Sequence, residues 1–224
     1  MKKDNKTDQN TDIRTPFSEF VRKFKKQKTA VAASIVLLLI VLIAIFADLV
    51  APYGINDYNY SEMLQGPSAK HLFGTDEFGR DIFSRIVYGA RISLAIGFGA
   101  VSLAAILGAI LGLISGYYGG IVDSIIMRVC DVLFAFPGLI LAIAIVAILG
   151  PGLYNVVIAV IVFRTPTFAR LVRGTTLQMK DSVYVQAARS LGASDARLLF
   201  THILPSALPS VIVQYSISIG GSIM

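Results

Sequence analysis

The chain has 224 residues, 55% hydrophobic and 15% charged, and its mean hydropathy of +0.70 is too high for a soluble globular domain. The net charge of +6 does not point to nucleic acid, because nine of the twenty Lys and Arg lie in the first 28 residues, in a tail that adjoins an apolar run and suits anionic lipid. One cysteine, Cys130, excludes an internal disulfide, and His71 and His202 alone cannot form a metal cage, so an integral membrane protein with no metal and no catalytic group is expected.

Residues 1–28 form a cytoplasmic basic tail in this reading. Residues 29–50 then supply about the 20 apolar residues that cross ~30 Å of hydrocarbon. Five basic residues, Arg22, Lys23, Lys25, Lys26 and Lys28, precede this run, and no small-residue cleavage site follows it. It is therefore expected to be an uncleaved anchor with a cytoplasmic N-terminus. Residues 51–91 become an extracytoplasmic loop. Within it Phe73, Phe78, Ile82, Phe83, Ile86 and Tyr88 are too many large apolar groups to leave solvated. The spacing of 78, 82 and 86 predicts a surface helix lying on the membrane or on a partner.

Residues 92–224 make the core, with spans expected at about 92–115, 132–149, 153–171 and 203–224, the last carrying Pro205, Pro209 and Gln214. Ala104, Gly108, Gly112 and Gly116 recur every four residues on one face of the first of these, a pattern that lets another helix backbone approach closely. Arg128 and Asp131, three apart, can pair on one helical face. Arg164 lies late in the 153–171 span, where its long stem can snorkel to the cytoplasmic interface. Alternation from a cytoplasmic N-terminus puts 172–202 inside. The chain ends, still apolar, at Met224.

Between the last two spans lies YVQAARSLGASDARLLFTHILP, residues 184–205, which is too polar for a bilayer. Its Ala and Leu content favours helix, Gly192 interrupts it, and Pro205 marks a new element, so two short helices with a bend are expected. The spacing resembles the EAA loop of permeases of ATP-binding-cassette importers: Gln186, Ala187 and Ala188, then Gly192, then Leu204 and Pro205. Gln186 stands where the usual glutamate would be, and His202 where many relatives carry an apolar residue.

The resemblance extends further. Gly74-Thr75-Asp76, Gly79-Arg80-Asp81 and Tyr88-Gly89-Ala90-Arg91 look like the stretch before the second span in permeases of the dipeptide, oligopeptide and nickel importer family. The segments at 116–120 (GYYGG), 131–138 (DVLFAFPG) and 169–174 (ARLVRG) match as well, and Thr165 departs where relatives often carry tryptophan. The resemblance implies the second permease subunit of a pair, an all-α polytopic bundle of the type I importer permease kind, and a multi-pass place in a bacterial or archaeal cytoplasmic membrane. Such permeases normally have a sixth span, so either a C-terminal truncation or a partner that supplies the remainder is expected.

The resemblance further implies partners: a second permease, two ATPase subunits and an extracytoplasmic solute-binding protein, with membrane lipid around them. The chain has no G-x-x-x-x-G-K-[ST] sequence to cradle phosphates, so ATP and Mg belong on the ATPases and no cofactor is expected here. The loop would be a mechanical coupler that contacts the ATPase, through Tyr184, Gln186, Ala187, Ala188, Arg189, Ser190, Leu191, Gly192, Ala193, Leu198, His202, Leu204 and Pro205. Peptides are the expected solute, with nickel chelates or glutathione as alternatives. An ion-coupled secondary transporter is the competing class, but it needs mid-membrane carboxylates or histidines that these spans nearly lack. A membrane hydrolase would need a nucleophile and base within reach, and no such set is apparent.

Overall fold

The computed structural model describes residues 16–223, which form α-helices with one isolated bridge and no strand among the described residues. The chain divides into two compact units, residues 1–91 and 92–224.

In the first unit, α1 (Pro16–Lys26) ends in Lys23, Lys25 and Lys26 and is followed by α2 (Lys28–Ile45) and the short α3 (Ala47–Val50). The 18 residues of α2 rise about 27 Å, nearly the hydrocarbon thickness. Its Ile35, Leu37, Leu38 and Leu39 are more than half exposed, a surface that only lipid or another apolar helix would cover.

Residues 51–81 form a compact loop held by polar contacts. Asp81 caps the next helix: its Oδ2 accepts the Ser84 amide and hydroxyl, both at 2.7 Å. Buried His71 sits 3.0 Å from Asp81 Oδ1 through Nδ1 and 3.3 Å from Glu62 Oε2 through Nε2. Asp76 accepts the amides of Phe78 (2.9 Å) and Arg80 (3.0 Å) and the Arg80 Nε (2.8 Å), closing the turn between them. Gly79 adopts φ +71, and a side chain there would collide with the Asn59 carbonyl oxygen at 1.8 Å. Gly74, at φ +79, is crowded in the same way by the Gln65 carbonyl. The Gly-Thr-Asp-x-x-Gly-Arg-Asp stretch is thus a turn whose glycines admit neighbouring backbone and whose aspartates tie off the loop and the helix end.

The surface helix expected around 78–86 is corrected. Phe78 lies in the turn, and the helix that starts at Ile82 is the beginning of α4 (Ile82–Tyr118), 37 residues and about 55 Å long. The capping by Asp81 places the start, and Arg85 and Arg91 do not interrupt the helix because they pair with Asp76 and Asp48.

In the second unit, α5 (Gly120–Phe134), α6 (Gly138–Leu149), α7 (Leu153–Lys180), α8 (Val183–Ser190), α9 (Asp195–Arg197) and α10 (Leu204–Ile223) follow. The continuous span expected over 132–149 is broken. α5 and α6 meet at 91°, because Pro137 cannot continue a helix and disfavours helical Phe136 before it; Pro137 itself is extended at φ −54, ψ 129. At 12 residues α6 rises only about 18 Å, too short to cross alone. α7 runs nine residues beyond the expected 171. Six residues of π-helix, Leu198–Ile203, join α9 to α10, where Pro205 and Pro209 have no amide to complete the i−4 ladder.

The small-residue face of α4 is where α7 lies. A Cβ on Gly108 would come within 2.5 Å of Phe168 Cβ and 2.7 Å of the Thr165 oxygen; on Gly112, 2.5 Å from the Ala169 oxygen; on Gly116, 2.7 Å from Thr176 Cβ. Ala104 is fully buried beside Val101, Ala105 and Phe168. Asp131 pairs with Arg170 of α7 rather than with Arg128 of its own helix, and the guanidinium of Arg170 lies 4.1 Å over the Phe134 ring. Asp123 takes both ends of Arg173, at 2.5 and 2.6 Å.

Candidate coupling interface

The 184–205 loop is built in three short pieces. Ser182 precedes α8 in extended conformation, and its hydroxyl donates to the Met179 carbonyl at 2.6 Å, turning the chain out of α7. α8 ends in a Schellman arrangement: Gly192 at φ +85 donates to Arg189 O (2.9 Å) and Ala193 to Ala188 O (3.1 Å). Gly192 is glycine because that cap needs the left-handed region, and no atom lies within 4 Å of where a side chain would start. Ser194 then caps α9 by accepting the Arg197 amide.

This loop is anchored rather than dangling. Val185, Leu198 and Ile203 are fully buried, with Leu199 nearly so, in one cluster with Leu113 of α4, Val172 of α7 and Ala207 of α10. Ala188, Ala193 and Leu204 pack against that cluster. Tyr117, near the end of α4, donates its hydroxyl to the Asp195 carboxylate and accepts from Arg189 NH2 at 3.1 Å, with the Arg189 guanidinium 5.4 Å over the ring. Tyr184 donates to the His202 carbonyl at 3.2 Å and lies 3.3 Å from the Ser206 hydroxyl. Gln186 donates to the Asp181 carbonyl at 3.0 Å.

These contacts sort the expected contact residues into two sets. Leu198 belongs to the interior of this chain and leaves the set: a side chain with no exposed surface cannot touch a partner without unfolding the loop. Ala188, Ala193 and Leu204 face the same core, while Arg189 and Tyr184 reach back to Tyr117 and His202. Left facing outward are Gln186, Ala187, Ser190, Leu191, Gly192 and Pro205, and also Val183. Leu191 is 89% and Val183 85% exposed, and Phe200 is 58% exposed. Tyr117, Asp195 and Val183 were missed by sequence reasoning. Val183 could have been found as an apolar residue at the first turn of a polar helix, but the Tyr117 contact spans 78 residues and leaves no local trace.

Comparison with known proteins follows from this architecture of apolar helices and an anchored polar loop. Residues 108–224 match the family described as binding-protein-dependent transport system inner membrane component, and residues 15–67 match the N-terminal transmembrane domain of oligopeptide transport permease C. The chain belongs to the permease subunits of ATP-binding-cassette importers, in the dipeptide, oligopeptide and nickel family, and is an inner-membrane transport component rather than an enzyme. Among its relatives is the glutathione transport system permease protein GsiD of Escherichia coli O6:K15:H31 (strain 536 / UPEC), 52% identical over 213 residues that cover 95% of this chain and 70% of the relative. The protein of the same name from Shigella boydii serotype 4 (strain Sb227) gives the same figures. A solved structure, an amino acid ABC transporter with histidines, aligns at a TM-score of 0.47 with 21% identity, over 64% of this chain and 74% of that one.

Proposed function

We propose that this permease imports small peptides, of the size class that includes the tripeptide glutathione, and that its cytoplasmic 184–205 loop receives the stroke of separate ATPase subunits. The observation that carries the coupling reading is the pairing of two opposites in one loop. Its inner side is fixed by buried apolar contacts to the ends of α4, α7 and α10, and its outer side displays Val183 and Leu191. Apolar side chains this exposed, carried on a rigidly held loop, are available for a partner to cover, and a rigid tie on the other side would convert displacement of the loop into displacement of three membrane helices. The solute reading rests on the permease C match and on relatives named for glutathione. A second permease, two ATPases carrying ATP and Mg, and an extracytoplasmic solute-binding protein complete the assembly in this proposal, with the chain's N-terminus and the loop in the cytoplasm.

The test uses the whole complex in proteoliposomes, with glutathione, di- and oligopeptides and nickel chelates offered through the binding protein. Gly192→Glu would strain the cap at φ +85, whereas Leu191→Glu changes an 89% exposed side chain at φ −82, so Leu191→Glu should assemble and insert while its added charge, pressed against the ATPase, abolishes solute-stimulated ATP hydrolysis. Full stimulation by that variant with the ATPases still bound would refute the coupling role. Import of nickel chelates alone would refute the peptide assignment, and labelling of a cysteine at Ser194 from outside would refute the topology.

A further inference from the structure

The cations of α7 are treated differently along its length. Arg170 and Arg173 meet Asp131 and Asp123. Arg164 meets no carboxylate and no hydrogen-bond acceptor among the described residues: its Nε is enclosed without a partner, and its guanidinium lies 4.9 Å over the Phe163 ring. Because α7 continues to Lys180, Arg164 is central, not late, in the helix. It stands roughly 16 Å along the axis from Leu153, near half the thickness of the hydrocarbon, too deep for easy snorkelling. Gly108 of α4, beside Thr165, marks the same depth on the neighbouring helix.

The surroundings of Arg164 are polar on one side. A Cβ on Gly221 of α10 would sit 2.8 Å from Arg164 NH2, so the guanidinium lies over that glycine. Gly221 shares a helix face with Gln214 and Ser218, seven and three residues earlier, and Gln214 donates to the buried Ser218 hydroxyl at 3.2 Å. A guanidinium stays charged at any physiological pH and offers five donors in a fixed fork that matches a carboxylate. A cation kept at depth with no partner among the described residues, beside a strip of amide and bare backbone, is placed to receive an anion.

We propose that Arg164 is a carboxylate-binding station in the solute path, which takes the free carboxylate of a peptide in transit, with Gly221 against it and the face of α10 that runs from Gly221 to Gln214 as the polar wall beside it. The station rests on the peptide reading above. It gives the permease its own selection for anionic termini, in addition to that of the binding protein.

The experiment compares a tripeptide with its C-terminal carboxamide, each at a concentration that saturates the binding protein, in proteoliposomes holding the complete transporter. Arg164→Gln removes an unpaired charge, so it should insert and co-purify with its partners at least as well as the parent. The expected result is that Arg164→Gln slows import of the free acid roughly tenfold, the loss of one charge-assisted contact, and leaves the carboxamide unchanged. Arg164→Lys should keep a preference for the acid. An equal fall for both peptides would mean a structural role or an ion pair with the other permease, and would overturn the station, as would no change in either. If the unaltered transporter imports neither peptide, the solute reading fails and takes the station with it. That outcome differs from import by the unaltered transporter with no discrimination by the variant, which sinks the station alone.

Discussion

Replacing Gly112 by alanine is the most direct probe of the α4–α7 seam, and its cost can be worked from the distances. The new methyl would lie 2.5 Å from the Ala169 oxygen, 2.9 Å from the Arg173 nitrogen and 2.9 Å from Val172 Cβ. Two of these are backbone atoms that cannot turn aside, so the helices must part by roughly 0.5–1 Å, a gap that forfeits a quarter to a half of each dispersion contact across it. Overpacking of this kind costs about 1–3 kcal/mol. Alanine returns about 0.5–1 kcal/mol through its better helix propensity, leaving a net loss of about 0–2.5 kcal/mol, with its centre near 1.25 kcal/mol or roughly eightfold in the folding equilibrium. Gly99→Ala on the same helix, with nothing within 4 Å, should gain the same propensity without the clash and is the control. Steric trapping or reversible unfolding in bicelles would measure both. Equal stability of the two variants would refute the account of the seam.

Two further outcomes can be checked. Burial pushes the Asp76 carboxyl up, but the Phe78 and Arg80 amides and the Arg80 side chain more than offset it, holding the group at about 2. A depressed carboxylate stabilises above its ordinary value and loses that stabilisation as pH falls. Roughly 1 kcal/mol of loop stability, the shift reduced for solvent screening, should therefore vanish as pH falls from about 4 to about 2. Amide exchange at Phe78 and Arg80 would read it, and protection that ignores pH, or that survives Asp76→Asn, would contradict it. Tyr117→Phe keeps the ring over which Arg189 stacks but removes the hydroxyl between Arg189 and Asp195, a loss of about 0.5–1.5 kcal/mol. Uptake per ATP hydrolysed should fall a few-fold with assembly intact, and unchanged stoichiometry would show that this contact carries no force.

The apolar runs made the helical class and the spans at α2, α7 and α10 legible, because a stretch of about 20 apolar residues has few other places to be. The ends were harder. Charged Arg85 and Arg91 made the first turns of α4 read as a separate surface helix of the outer segment, since sequence does not reveal that Asp76 and Asp48 are there to pair with them. The break at Pro137 was readable in principle from the restriction a proline places on its predecessor, but a run as apolar as 132–149 masked it. Arg128 and Asp131 were locally plausible partners, and tertiary contact instead gave Asp131 to a residue 39 positions away. In the 184–205 loop the spacing located Gly192 and the two alanines, yet it could not say which side of α8 faces inward. That division depends on Val172 and Leu113, which belong to other helices.

How the loop would pass on a force follows from the relative strength of its two kinds of attachment. Each of Val185, Leu198 and Ile203 contributes about 1.5–3 kcal/mol by burial, whereas an exposed polar contact such as Tyr117 to Arg189 is worth roughly 0–1 kcal/mol. A pull at Leu191 therefore breaks the polar contacts before the apolar ones, and the loop travels with the ends of α4, α7 and α10 instead of peeling from them. The softest backbone in that body is the π-helical Leu198–Ile203 and the turns after it, where Pro205 and Pro209 leave carbonyls without their usual donors. Bending is then concentrated at the root of α10, the helix whose far end carries Gly221 beside Arg164. On the coupling reading, the same stroke that moves the loop shifts that end of α10 relative to the guanidinium, so the polar wall and the cation would separate as the path opens.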